Sequence, residues 1–108
     1  MLFANTRVKK LTIVQLFTRG SERLIIRGGP VDVNILPEDG ADLAAQGYSW
    51  SGHTHPGFYL ADFMPSPGDR GVLEAMGQTY SSIYSPTGRC FVFGIRKEDD
   101  LGFRNLSD

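Results

Sequence analysis

The 108-residue chain has a single cysteine, Cys90, and only two histidines, His53 and His55. One cysteine excludes an internal disulfide and a thiolate-rich zinc site, so any bound metal must be held by His and carboxylate. No run approaches the ~18 apolar residues of a membrane-spanning helix. The opening MLFANTRVKK has neither the apolar core nor the small-residue cleavage site of a signal peptide. Charge of one sign is also missing. Eleven Lys and Arg against twelve Asp and Glu leave a net −1, with no overall attraction to nucleic acid or anionic lipid. No repeat, linker or low-complexity segment divides the chain. The expectation is therefore one soluble, glycine-rich domain spanning 1–108, with no nucleic-acid partner and no membrane partner.

The small net charge hides a gradient. Residues 1–29 carry Arg7, Lys9, Lys10, Arg19, Arg23 and Arg27 against Glu22 alone. Residues 30–74 carry Asp32, Glu38, Asp39, Asp42, Asp62, Asp69 and Glu74 against Arg70. Both histidines fall in this acidic middle, where the field favours a cation.

Leu11–Thr18 and Leu24–Ile26, separated by Arg19-Gly20-Ser21, read as a β-hairpin. Val31–Leu36 alternates apolar and polar residues as a third strand. Pro37–Ala45 reads as a turn with at most a short helix, and Tyr48–His55 as a strand stopped by Pro56-Gly57. Ser66–Gln78 is the main helix: Ser66 is a natural N-cap, Pro67 suits the first helical position, and Val72, Leu73 and Met76 form its apolar stripe. Ser81–Ser85 and Cys90–Ile95 make a second hairpin, and the charged tail from about residue 97 is expected to fray. This order describes an α+β domain with a mostly antiparallel sheet and one main helix after the His-x-His strand.

His53-Thr54-His55 carries the chemistry. Residues two apart on a strand share a face, so both imidazoles project together. With a nearby carboxylate, such a pair suits a divalent metal, zinc above all. Asp69 lies three, four and seven residues before Val72, Leu73 and Met76, on the stripe that should face the sheet. A carboxylate there is costly unless paired, and a metal would neutralise it. Ser66-x-x-Asp69 is equally a capping box, which accounts for both residues without any metal. The residues alone leave both explanations open.

Gly52-His53-Thr54-His55-Pro56, followed by Pro65-Ser66-Pro67-Gly68-Asp69, Gln78, Ser82–Gly88 and Phe91-Val92-Phe93, resembles the JAMM/MPN (JAB-domain) metallopeptidase pattern. The resemblance covers residues 48–95. It is closest to the JAB-like C-terminal toxin domains of bacterial RHS and other polymorphic toxins. It implies a JAB/MPN-like, cytidine-deaminase-like architecture and one zinc ion held by His53, His55 and Asp69. Ser66 would then stabilise the reaction intermediate. The implied activity is zinc-dependent hydrolysis of a peptide or isopeptide bond, in the toxin or effector module of a larger secreted bacterial protein. Such a module would act on a protein or peptide in the target-cell cytoplasm and could have a cognate immunity protein. The alternative is an inactive JAB/MPN-fold module that docks a protein partner.

Two features depart from the family. Ten residues, Pro56 to Pro65, separate His55 from Ser66, a loop about three residues longer than usual, which chain entropy tolerates. The family also takes its general base from a Glu on an early strand. Glu22 is the candidate here, followed by Glu38, and a chain with neither in place is the remaining option. The loop side chains Phe58, Tyr59, Phe63 and Met64 either border the site as a substrate or partner surface or fold onto the core. Trp50, on the strand face opposite the histidines, reads as core, and Cys90 as a structural thiol. A zinc nucleobase deaminase would need a Pro-Cys-x-x-Cys ligand pair, which is missing.

Overall fold

A computed structural model describes residues 13–28, 35–55, 64–85 and 88–105. Its six strands are β1 (Val14–Arg19), β2 (Glu22–Arg27), β3 (Ser49–Thr54), β4 (Ser81–Tyr84), β5 (Arg89–Phe93) and β6 (Gly102–Asn105). Two helices complete it, α1 (Pro37–Ala45) and α2 (Pro67–Ala75). The strands form one mixed sheet in the order β2-β1-β3-β4-β5-β6. Every neighbouring pair is antiparallel except β3 and β4, which run parallel with α2 as the crossover between them. The fold is α+β, as the sequence pattern indicates.

Alternation along the strands decides which face is covered. Gln15 and Phe17 of β1, Ile83 of β4, and Phe91 and Phe93 of β5 are buried, and Val72 and Leu73 of α2 pack onto the same cluster with Trp50. Both helices lean on each other through a small residue. A Cβ at Gly40 of α1 would lie 3.0 Å from Val72 Cγ1 and 3.1 Å from Met76 Cγ, so glycine lets α1 approach this closely without those side chains giving way.

Three expectations are corrected here. Pro37–Ala45 is a full nine-residue helix, as long as α2, so there are two comparable helices and not one main one. Pro37 sits in its first turn and Asp39 Oδ2 accepts the Leu36 N–H at 3.0 Å, so local capping is sufficient despite the glycine. The tail does not fray at residue 97. A 3-10 turn over Lys97–Asp99 leads into β6, whose Phe103 ring packs on Phe91 at 5.0 Å. Its charges are matched internally: Arg70 of α2 makes two bonds to Asp100, at 2.8 and 3.0 Å, and Asp100 Oδ1 accepts the Gly94 N–H.

Trp50 is the third correction. It is core, but on the same face as His53. The β1–β3 register pairs Leu16 with Gly52 and Phe17 with Trp50, leaving Ser51 as an extra residue. This bulge reverses the alternation once, so positions three apart share a face. Of the third strand predicted over 31–36, residues 31–34 lie outside the described residues, and Ile35-Leu36 lead directly into α1.

Candidate metal centre

The βαβ unit β3–α2–β4 sets the site's position. His53 lies at the C-terminal end of β3, His55 directly after it, and Asp69 in the first turn of α2. The carboxyl ends of parallel strands and the N-terminus of the crossover helix are where α/β units gather ligands, and the helix dipole favours a carboxylate there. Between the histidines, Thr54 turns to the other side, and its Oγ1 accepts the Val14 N–H at 2.9 Å, tying the strand end to β1.

Local sequence holds the strand in place. A Cβ at Gly52 would fall 2.8 Å from the Ser82 carbonyl oxygen and clash with the edge of the Tyr84 ring, so glycine is required before His53. Gln78 extends the β3–β4 pairing beyond its two residue pairs: its Oε1 accepts the Trp50 N–H at 2.8 Å, and its Nε2 donates to the Trp50 carbonyl at 2.6 Å. A side-chain amide thus imitates a strand residue. This is the structural role of the Gln78 that stands in the motif series.

His53 Nε2 and His55 Nε2 are 3.0 Å apart. Asp69 Oδ1 lies 3.2 Å from His53 Nε2, and Asp69 Oδ2 lies 3.4 Å from His55 Nε2. Taking one donor atom from each residue, all three fit within 4.8 Å. Two imidazole lone pairs cannot face each other at 3.0 Å without a proton or a cation between them. A tetrahedral ion with bonds of ~2.0–2.1 Å separates its ligand atoms by about 3.3–3.4 Å, close to all three contacts. The donor set and its spacing therefore fit a divalent metal such as zinc. His55 and Asp69 keep 19% and 14% of their side-chain surface exposed, whereas His53 keeps 1%. The group opens to solvent on one side, unlike a sealed four-ligand structural site.

Protonation suits the same role. Burial lowers the His53 pKa, outweighing the hydrogen bond and attraction from Asp69, so the ring is neutral as a ligand must be. For Asp69, burial acts to raise the pKa. In the ion-free chain the hydrogen bonds offered by the two imidazoles and by the Ser66 N–H more than offset it, and hold the carboxyl well below the usual carboxylate range.

The capping box and the ligand set are not alternatives. Ser66 Oγ accepts the Asp69 N–H at 3.0 Å while Asp69 Oδ2 accepts the Ser66 N–H at 2.9 Å, and the same carboxylate faces both imidazoles. Ser66 is thus placed beside Asp69, exposed, with its hydroxyl oxygen engaged as an acceptor.

The chain matches no family model, no curated protein and no solved structure.

Glu22 is not brought to the site. It opens β2 opposite Arg19, four residues along β1 from Gln15, the partner of His53. At about 3.3 Å per residue that is ~13 Å along the sheet, with two strand spacings of about 4.8 Å to cross as well. Its carboxylate instead accepts the Arg19 Nε–H at 2.6 Å in an exposed ion pair. Glu38 is exposed in the first turn of α1, and Glu74 and Glu98, which complete the chain's glutamates, are exposed too. The β1 residues on the His53 face are Gln15, Phe17 and Arg19, none a carboxylate. Met64 is 43% exposed just before α2, and Phe58, Tyr59 and Phe63 lie outside the described residues. Sequence reasoning missed Gln15, buried opposite His53. The alternating pattern of β1 was its only signal.

Proposed function

We propose that His53, His55 and Asp69 hold one zinc ion and that the chain is a zinc-dependent hydrolase of peptide or isopeptide bonds. The observation that carries this reading is the three-ligand group itself, spaced for a tetrahedral ion and open to solvent on one side. Zinc supplies Lewis acidity, polarising a carbonyl and acidifying water. The chain's residues do the rest. The two neutral imidazoles and the Asp69 carboxylate would hold the ion, while Ser66, anchored through the Asp69 N–H, would offer its hydroxyl as a donor to a developing oxyanion. The JAB/MPN architecture and the role as toxin module of a secreted bacterial protein belong to the same proposal. They rest on the resemblance of Gly52–Pro56 and Pro65–Asp69 to that family.

A second reading is favoured by one observation: all four glutamates are exposed, and none joins the group. A zinc-bearing module that docks a protein partner needs no general base. Elemental analysis of the purified chain, followed by incubation with a peptide library and a lysine-linked isopeptide substrate, separates the cases. One equivalent of zinc with cleavage supports the hydrolase, and zinc without cleavage supports the docking module. Chain purified and assayed free of zinc, iron and other transition metals, yet cleaving at full rate, refutes both.

A further inference from the structure

A ligating imidazole ordinarily donates its second N–H to a carboxylate or carbonyl, which fixes the ring's orientation. His53 departs from that arrangement. Its Nδ1 is fully buried and has no hydrogen-bond partner among the described residues. The ring is nevertheless held on two sides by aromatic groups. The Trp50 indole stacks on it at 4.9 Å and 16°, and Phe93 meets it edge-on at 5.9 Å and 90°. Phe93 also meets the indole edge-on, at 5.7 Å and 82°.

The indole is itself fixed. Its Nε1–H donates to Gln15 Oε1 at 2.7 Å, a buried bond across the two strands, and its backbone N–H and carbonyl are both taken by Gln78. Gln15 is only 6% exposed in a core otherwise built almost entirely of apolar side chains. A buried amide costs stability unless its bonds are made, so its presence calls for a role beyond packing. The β-bulge at Ser51 is a second such feature: without it, Trp50 would face away from His53.

We propose that Trp50 and Gln15 are positioning residues for the metal. Gln15 orients the indole, the indole face orients the His53 ring, and the stack replaces the missing hydrogen bond at Nδ1. This inference rests on the metal reading above. It concerns how the ligand is held, not which reaction follows.

The test measures affinity for Zn²⁺ by competition with a chromophoric chelator, and the visible absorption of the Co²⁺-loaded chain as a signature of ligand geometry. Each is corrected to the folded fraction found by circular dichroism. Trp50→Leu, which removes the stack, is expected to weaken Zn²⁺ binding by ~10- to 100-fold and to change the Co²⁺ bands. Trp50→Phe, which keeps an aromatic face, should recover most of that loss. Gln15→Met, which keeps the length and removes the acceptor, should weaken binding by about 10-fold. If Trp50→Leu does not fold, Gln15→Met decides alone. Should that variant also fail to fold, Gln15→Met combined with Trp50→Phe leaves no buried donor unpaired, and several-fold weaker binding is expected. Variants that bind Zn²⁺ as the parent does, with unchanged Co²⁺ bands and only a lower melting point, overturn the positioning role. A parent chain that binds neither ion overturns the metal reading, and the positioning role with it.

Discussion

The sheet carries a carboxylate matched to a partner at each end, and the two ends behave differently. At the β1–β2 turn, Glu22 meets Arg19, and their side chains are 58% and 43% exposed. At the C-terminal end of β3, Asp69 meets two imidazoles and its own helix N-terminus, mostly out of water. In high dielectric the first pair gains little, because water and salt screen it. The second group cannot be screened in that way, so it shifts pKa values and draws donor atoms to metal-ligand spacing. Similar residue types become a surface ornament in one place and a candidate site in the other. Burial makes the difference.

The largest expected effect tests that difference directly. His53→Ala should weaken Zn²⁺ binding by at least ~100-fold in an equilibrium titration, more than loss of an outer-shell partner. Retained stoichiometric binding would show that the group does not hold the ion. Next in size is the brace behind α2. Arg70→Ala leaves Asp100 half-paired and should cost about 1.5–3 kcal/mol in urea unfolding, because hydrogen bonds to charged groups are strong and these are largely covered.

Acid should act at the histidine end. The His53 pKa lies below its ordinary 6.5, so between the two values the unfolded chain binds more protons than the folded one. Metal-free stability should therefore fall as pH drops through about 6.5. The depressed Asp69 acts in the same sense, and its contribution is lost as pH falls below its ordinary 3.8. Zn²⁺ affinity should decline over the first window as well, since imidazoles must be deprotonated to bind. Denaturation and titration across pH 3–8 check this, and a profile peaking at acid pH would contradict it. The smallest effect belongs to the other end. Glu22→Gln should change neither Zn²⁺ content nor any cleavage rate, and a lost rate would return Glu22 to the site by a route that the fold does not offer.

Much of the site was legible before the fold. The His-x-His spacing, the capping residues of α2 and the stripe that holds Asp69 are local signals, and each survives in the structure. What failed was non-local. The charge in the tail indicated fraying, yet Arg70 and Asp100 pair across 30 residues and allow β6 to form. Strict alternation placed Trp50 away from the histidines, and one bulged residue reversed it. The resemblance made Glu22 the candidate base as a Glu on an early strand, but strand register put it at the far end of the sheet.

The sequence alone excluded a thiolate-rich site, since the chain has one cysteine, and put its two histidines two residues apart. It also placed a carboxylate on the inner stripe of a capped helix. Whether that carboxylate meets those histidines was decided by the tertiary structure. The parallel pairing of β3 with β4 obliges α2 to cross back over the sheet and brings its N-terminus to the end of β3. No local preference of Ser66 or Asp69 encodes that meeting. It follows from burying Val72 and Leu73 against Phe17, Trp50 and Phe93, a cluster drawn from four separate elements.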